Sequence, residues 1–229
     1  MSPIYKYFSK QCHLQSFLEN GEIYFNSLSY FLSCDDDSRR DRSEDVTLYR
    51  PKSGLVGNIV TTGKPFALPA QQLISRVNAS DSIFVFCTSA EFSVRLYQKF
   101  NAEGCIEISN PDEFKERLQA KINELVDGGN GANKTLLAGR IEYYDSAESP
   151  GARHACPDQI VMAKPDHFSD EAEFRFAFAK DQNAFDVNNV QYSISSELDA
   201  PNAASRHLSL RLGSLTDICQ VRSIDIDAP

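Results

Sequence analysis

The chain has 229 residues, 41% hydrophobic and 24% charged, with a formal net charge of −9. That length supports a sizeable core within a single domain over 1–229, and the acidic balance excludes a broad electrostatic grip on nucleic acid, which needs a basic field. No apolar run reaches the roughly 18 residues of a membrane span, and the opening MSPIYKYFSK has the form of neither a signal peptide nor an anchor, so a soluble, cytoplasmic protein with no membrane partner is expected.

Cys12, Cys34, Cys87, Cys105, Cys156 and Cys219 are scattered without a C-x-x-C pair, which reads as reduced thiols and not as a zinc site or a disulfide framework. His154 and Cys156 flank a metal-like spacing, but no second cluster joins them, so no metal site is expected.

Strand and helix signals alternate along the chain. Ile4 to Phe8 reads as a short strand, Cys12 to Glu19 as a helix stopped by Asn20-Gly21, and Glu22 to Asn26 as a second strand. The segment CDDDSRRDRSED, Cys34 to Asp45, is almost wholly charged and is expected to be a surface loop. It is either a solvated excursion or a lid facing a substrate. Ser82 to Cys87 reads as a strand buried on both faces, followed by Thr88-Ser89 and a helix from Ala90 to Phe100. CIEIS is a further strand. Asn110-Pro111-Asp112-Glu113 is a helix start, with a capping side chain and proline at the first turn, and the helix is expected to reach Val126 with Phe114, Leu118, Ile122 and Leu125 on one stripe. Leu136 to Asp145 reads as a strand, Gln159 to Ala163 as a short helix, and His207 to Leu212 and Ile218 to Ile226 as the last strands. The fold class is α+β, with helices mainly in the first half and strands throughout.

Glu171 to Ala179, EAEFRFAFA, is the most informative strand. Alternation turns Phe174, Phe176 and Phe178 to the core and Glu171, Glu173 and Arg175 to the other face. On a regular strand the two glutamates project in parallel, with Cα atoms roughly 7 Å apart. One carboxylate can then hold a substrate hydroxyl while its neighbour orients a nucleophile, each raising the other's pKa. A solvated Glu/Arg ladder fits the same pattern.

Three stretches together resemble a bacterial domain family. They are IYKYFSKQCHLQSFLENGEIYFNSLSYF, SIFVFCTSAEFSVRLYQKFNAEGCIEIS, and RIEYYD followed by MAKPDHFSDEAEFRFAF. Members of that family open on a YKY strand and close on a K-x-x-x-W-x-x-E-x-E-x-R segment, and their layout resembles the ADP-ribosyltransferase toxin superfamily, with its split β-sheet core. There an Arg or His on the first strand, a Ser-Thr-Ser-like step and a Glu ending an E-x-E motif line the NAD cleft in chain order. The resemblance sets Lys6 at the first place, Cys87-Thr88-Ser89 at the second and Glu171-Ala172-Glu173 at the third. It implies that Glu173 binds the nicotinamide ribose and stabilises the oxocarbenium-like transition state, and that Glu171 positions or deprotonates the acceptor. It further implies that Thr88 or Ser89 holds the E-x-E strand and the ribose, and that Tyr7 or Tyr97 stacks on nicotinamide. Lys6 stands where Arg or His is usual and lacks the guanidinium fork; Cys87 stands where the first Ser does. Tyr5 and Tyr7 also suit a core, and Thr88-Ser89 also suits a helix cap.

The implied activity is NAD-consuming mono-ADP-ribosyl transfer to RNA, DNA or protein, in a toxin that an antitoxin or chaperone would mask. Arg39, Arg40 and Arg42 are candidates for phosphate contact. Two other readings stay open: a binding module that has lost NAD, and a nuclease holding a divalent ion on Glu171, Glu173 and Asp35 to Asp37.

Overall fold

The computed structural model describes residues 1–32, 43–125, 136–198 and 206–223. In chain order the strands and helices are β1 (Ile4–Phe8), α1 (Gln11–Asn20), β2 (Glu22–Ser27), α2 (Leu28–Leu32), β3 (Val46–Tyr49), β4 (Leu55–Asn58), β5 (Pro65–Leu68), β6 (Gln72–Val77), β7 (Ile83–Ser89), α3 (Val94–Lys99), β8 (Gly104–Ile108) and α4 (Pro111–Glu124). They continue with β9 (Leu137–Arg140), β10 (Glu142–Tyr144), α5 (Pro157–Val161), β11 (Ala163–Pro165), β12 (Glu173–Ala179), β13 (Val190–Ser195), β14 (His207–Arg211) and β15 (Cys219–Arg222). The fold is mixed α+β, built on antiparallel sheets with few helices.

The eight-stranded sheet is organised by β7. One edge of β7 pairs with β12 along its whole length, from Glu173↔Ser89 to Ala179↔Ile83. The other edge is shared. Near its start it meets β2, at Asn26↔Val85 and Ser27↔Phe84, and at its end it meets β1, at Tyr5↔Ser89. Between these contacts the two partners diverge, β1 zipping to β8 and β2 to β14. The sheet is therefore forked at Phe86, Cys87 and Thr88.

Both faces of β7 are covered, as its unbroken apolar run requires. On one side Phe84, Phe86, Phe174, Phe176 and Phe178 join Phe17 of α1 and Phe114, Leu118 and Ile122 of α4. On the other, Ile83, Val85, Ala177 and Ala179 pack on Leu28, Val77, Ile160 and Val161. This second layer contains the three-stranded sheet β13-β6-β3 and the parallel pair β10–β11. Local signals fix the main helices. The Asn110 side chain accepts from the Glu113 N–H at 3.2 Å and caps α4. Gly21 ends α1 at φ +60°, where a Cβ would lie 2.2 Å from the Gly213 carbonyl oxygen, so only glycine fits.

Several expectations change. Leu136 to Asp145 is not one strand: it breaks at Ile141, and β10 leaves the main sheet to pair with β11. The helix after Thr88-Ser89 starts at Val94, and Leu125 lies past the end of α4, half exposed. The short helix near Gln159 starts earlier, at Pro157, and the strands β3, β4, β5, β6, β11 and β13 lack a counterpart in the sequence reading. Most of the charged segment, 34–42, with Asp35 to Asp37 and Arg39, Arg40 and Arg42, lies outside the described residues, as do Val126 and the end of the last strand, 224–226. The described end of the charged segment is not a surface loop. Glu44 and Asp45 are 2% and 0% exposed, and each is matched by a cation: Asp45 takes both oxygens to Arg76 at 2.8 Å, and Glu44 pairs with Arg175. Ion pairing makes such burial tolerable.

Candidate functional site

The fork opens onto a cleft of about 440 Å³, within the size range of small-ligand sites. Lys6, Tyr7, Thr88, Ser89, Glu171 and Glu173 all line it. Tyr97 does not. It meets Tyr7 edge-on, with centroids 6.4 Å apart, and serves as support for that ring.

Lys6 reaches across the fork. Its ammonium donates to the Cys87 carbonyl at 2.7 Å and stands 4.7 Å from the centroid of the Phe86 ring, a cation–π distance. Tyr7 locks the far end of β7: its hydroxyl accepts from the Ser93 N–H at 2.8 Å and donates to the Glu91 carbonyl at 3.1 Å. Burial pushes its pKa up to about 12, so the phenol stays protonated.

Thr88 and Ser89 both bind the E-x-E segment through its backbone. Thr88 Oγ1 donates to the Phe174 carbonyl at 2.8 Å, and Ser89 Oγ to the Glu171 carbonyl at 2.9 Å. The Ala90 N–H donates to the Ala172 carbonyl at 2.6 Å. These bonds hold a sharp bend, with Ala172 at φ +44°, ψ +44°. A non-glycine residue in that left-handed region is strained. The consequence corrects the reading of EAEFRFAFA as one regular strand. Only Glu173 onward is strand; Glu171 ends a 3-10 turn over Asp166–Glu171, and the two side chains do not run in parallel from one ladder.

Nor is the polar face of β12 wet. Arg175 is fully buried, Glu173 is 4% exposed and Lys164 7%. The Nε of Arg175 donates to Glu173 Oε1 at 2.7 Å and its Nη1 to the Val161 carbonyl at 2.6 Å, while Nη2 pairs with Glu44. Lys164 Nζ stands 2.9 Å from Glu173 Oε2, 3.2 Å from Glu171 Oε2 and 3.5 Å from Glu44 Oε2. Glu171 Oε1 also meets Lys99 at 3.0 Å near the surface. Backbone support comes from Tyr143, whose hydroxyl accepts from the Glu173 N–H at 2.8 Å.

Burial alone would raise the pKa of Glu173, but Arg175 and then Lys164 outweigh it and hold the carboxyl well below its usual range. Burial opposes the charge of Lys164 in the same way, and Glu173, Glu44 and Glu171 overcome it, so its ammonium persists far into alkali. Cys87 goes the other way. Burial, then Glu173, pushes its thiol up, and it is no nucleophile at neutral pH. The cleft thus presents an ionised Glu173 at the start of β12, a negative charge that can stabilise positive charge developing on a bound ligand. Aromatic faces at Tyr5, Tyr24, Tyr30 and Phe31, and the cations Lys6 and Lys10, give it the means to take flat rings and phosphates.

Lys164 and Glu44 escaped the sequence reading as site residues. Lys164 had a signal, since it stands at the lysine of the K-x-x-x-W-x-x-E-x-E-x-R segment; Glu44 had none, being one acid among many in its run. Among the described residues no group of three or more His, Cys, Asp or Glu is arranged to hold a metal ion. No helix among them is long and apolar enough to cross a membrane. Comparison of the chain with protein-family models, curated proteins and solved structures yields no match.

Proposed function

We propose that the protein is an NAD-dependent mono-ADP-ribosyltransferase that modifies a macromolecule. The observation that carries this reading is the meeting of three distant segments at one cleft. Lys6 and Cys87 are 81 positions apart, Thr88 and Phe174 86, yet each pair is joined by a direct hydrogen bond. These are the three places that the resemblance to the ADP-ribosyltransferase superfamily assigns to NAD, and the fork in the sheet agrees with that superfamily's split core.

In the proposed reaction the bond between C1′ of the ribose and the nicotinamide nitrogen breaks, and its electron pair leaves with nicotinamide. Glu173 holds the ribose hydroxyl and balances the positive charge left on the sugar. An acceptor nucleophile then bonds to C1′, and Glu171 takes its proton. The balance is NAD plus acceptor giving ADP-ribosyl-acceptor, nicotinamide and a proton. Thr88 and Ser89 contribute by fixing the backbone that carries both glutamates, and Lys6 and Tyr7 border the nicotinamide end.

Incubation with NAD labelled in the adenylate moiety and a cell lysate, followed by nuclease or protease treatment, tests the reading and sorts RNA and DNA from protein acceptors. Label on a macromolecule, lost in Glu173→Gln, is expected; no label on any macromolecule defeats the proposal. A role as a bacterial toxin, masked by an antitoxin or chaperone, adds a growth test: induction should arrest cells and Glu173→Gln should relieve the arrest.

A second reading, a non-catalytic binding module, draws support from the engagement of both Glu173 oxygens by Arg175 and Lys164. It expects calorimetric NAD or nucleotide binding without transfer. The nuclease reading is weaker, because Glu44, Glu171 and Glu173 converge on an ammonium whose charge opposes a divalent ion.

A further inference from the structure

Glu171 and Glu173 stand on opposite sides of the left-handed Ala172, so the pleat of the sheet does not set the distance between their carboxylates. Lys164 does contact both. Its Nζ lies 3.2 Å from Glu171 Oε2 and 2.9 Å from Glu173 Oε2, and it arrives from β11, a strand of the second layer and not of the forked sheet. The ammonium is also 5.1 Å from the centroid of Phe168, which lines the same cleft. We propose that Lys164 is a positioning residue that clamps Glu171 and Glu173 onto one ammonium and so sets the geometry of the carboxylate pair.

The catalytic side of this inference rests on the transferase reading; the clamp itself does not. Among the described residues the charged and titratable groups facing Lys164 are Glu44, Glu171, Glu173 and Arg175, with Tyr143 and Cys87 close enough to feel its charge and Lys99 on the outer oxygen of Glu171. While Lys164 is present, Glu173 ionises below the range of a free carboxyl. Without it, the buried carboxylates of Glu44 and Glu173 share Arg175, with Glu171 beside them on Lys99, and like charges in such a site raise one another's pKa. A folded-state pKa raised above the unfolded value adds stability at low pH that is lost as pH rises, the reverse of the native arrangement.

The experiment follows urea unfolding of wild type, Lys164→Met and Lys164→Met/Glu44→Gln between about pH 7 and pH 4.5, a window set by the ordinary carboxyl range. The double variant removes one cation and one anion, and so remains folded at neutral pH if the single variant does not. Relative to wild type, which shares every other titrating group, Lys164→Met is expected to gain stability as pH falls across this window. Folding of the single variant only at the acid end is the same result in stronger form. On NAD, the double variant should lose kcat by about 100-fold with KM changed only a few-fold, as displacement of a catalytic group by about 1 Å does. A Lys164→Met protein that follows the wild-type pH course overturns the clamp, whatever the activity. A wild type that transfers nothing defeats the transferase reading and leaves the clamp to be decided by the unfolding curves.

Discussion

Lys6 and Cys87 bridge the fork: the lysine ammonium donates to a carbonyl of β7 at 2.7 Å, between the stretch of β7 paired with β2 and the residue paired with β1. A backbone acceptor in a split sheet needs a partner from outside the ladder, and here a side chain supplies it. Lys6→Met keeps the aliphatic stem over Phe86 and removes the donor. It should cost about 1–3 kcal/mol in urea unfolding, the range for a buried polar group left unsatisfied. On the transferase reading KM for NAD should rise more than kcat falls.

Ala172 offers a test in the opposite direction. At φ +44° its Cβ is a liability, and Ala172→Gly should relieve about 1 kcal/mol of left-handed strain, part of it offset by the greater freedom of glycine in the unfolded chain. An equal or higher unfolding midpoint, with no loss of transfer, is the expected outcome. A marked fall would mean that the methyl group packs in the bend.

Glu173→Gln removes one charge from a buried set that includes Arg175 and Lys164. Breaking one side of such a pair typically costs about 3–5 kcal/mol, and loss of a group aimed at developing charge lowers turnover about 100-fold or more. The variant should therefore be less stable and, on the transferase reading, at least about 100-fold slower. Circular dichroism at the assay temperature separates loss of fold from loss of chemistry.

His154 gives a pH prediction away from the cleft. It is 3% exposed, set edge-on to Tyr144, and burial lowers its pKa from 6.5. A histidine with a depressed folded-state pKa contributes stability above its unfolded value, lost as pH falls through 6.5 toward the folded value. Wild type should lose urea resistance between about pH 7 and pH 5.5, and His154→Phe should flatten that slope. Equal slopes in the two proteins would remove His154 as the cause.

The elements that position the cleft were largely legible, because each carries a local signal. Apolar and aromatic content marked β1, alternation marked β2, an unbroken apolar run marked β7, and the Asn110-Pro111 start marked α4. That the polar face of β12 borders a cleft was legible; how deeply it is buried was not, for a physical reason. Glu173 and Arg175 look wet in sequence because burying either alone is costly, and the partners that make it feasible are Glu44, from a distant segment, and Lys164, close in sequence but on a different strand, β11. Glu44 was hidden further by its run: a stretch of charge signals solvent on average, and no pattern tells which member turns inward. The bend at Ala172 was equally invisible, since alanine carries no preference for a left-handed turn; it is held by Ser89, the last residue of β7, and by Ala90 just after it. The strands between Val46 and Val77 are short, and several are exposed, so their periodicity is faint.

The fork also bears on when the site comes into being during synthesis. Its first wall is made from residues 4 to 8, and its last from 173 to 179, so β7 has no partner along its second edge until most of the chain has left the ribosome. Pairings of such long sequence separation form slowly, and until they form the carboxylate of Glu173 has neither its clamp nor its wall. A nascent or truncated chain ending before Glu173 carries no cleft. If the finished protein is harmful to the cell that makes it, as a toxin would be, the order of its strands delays that harm until at least residue 179 has been made.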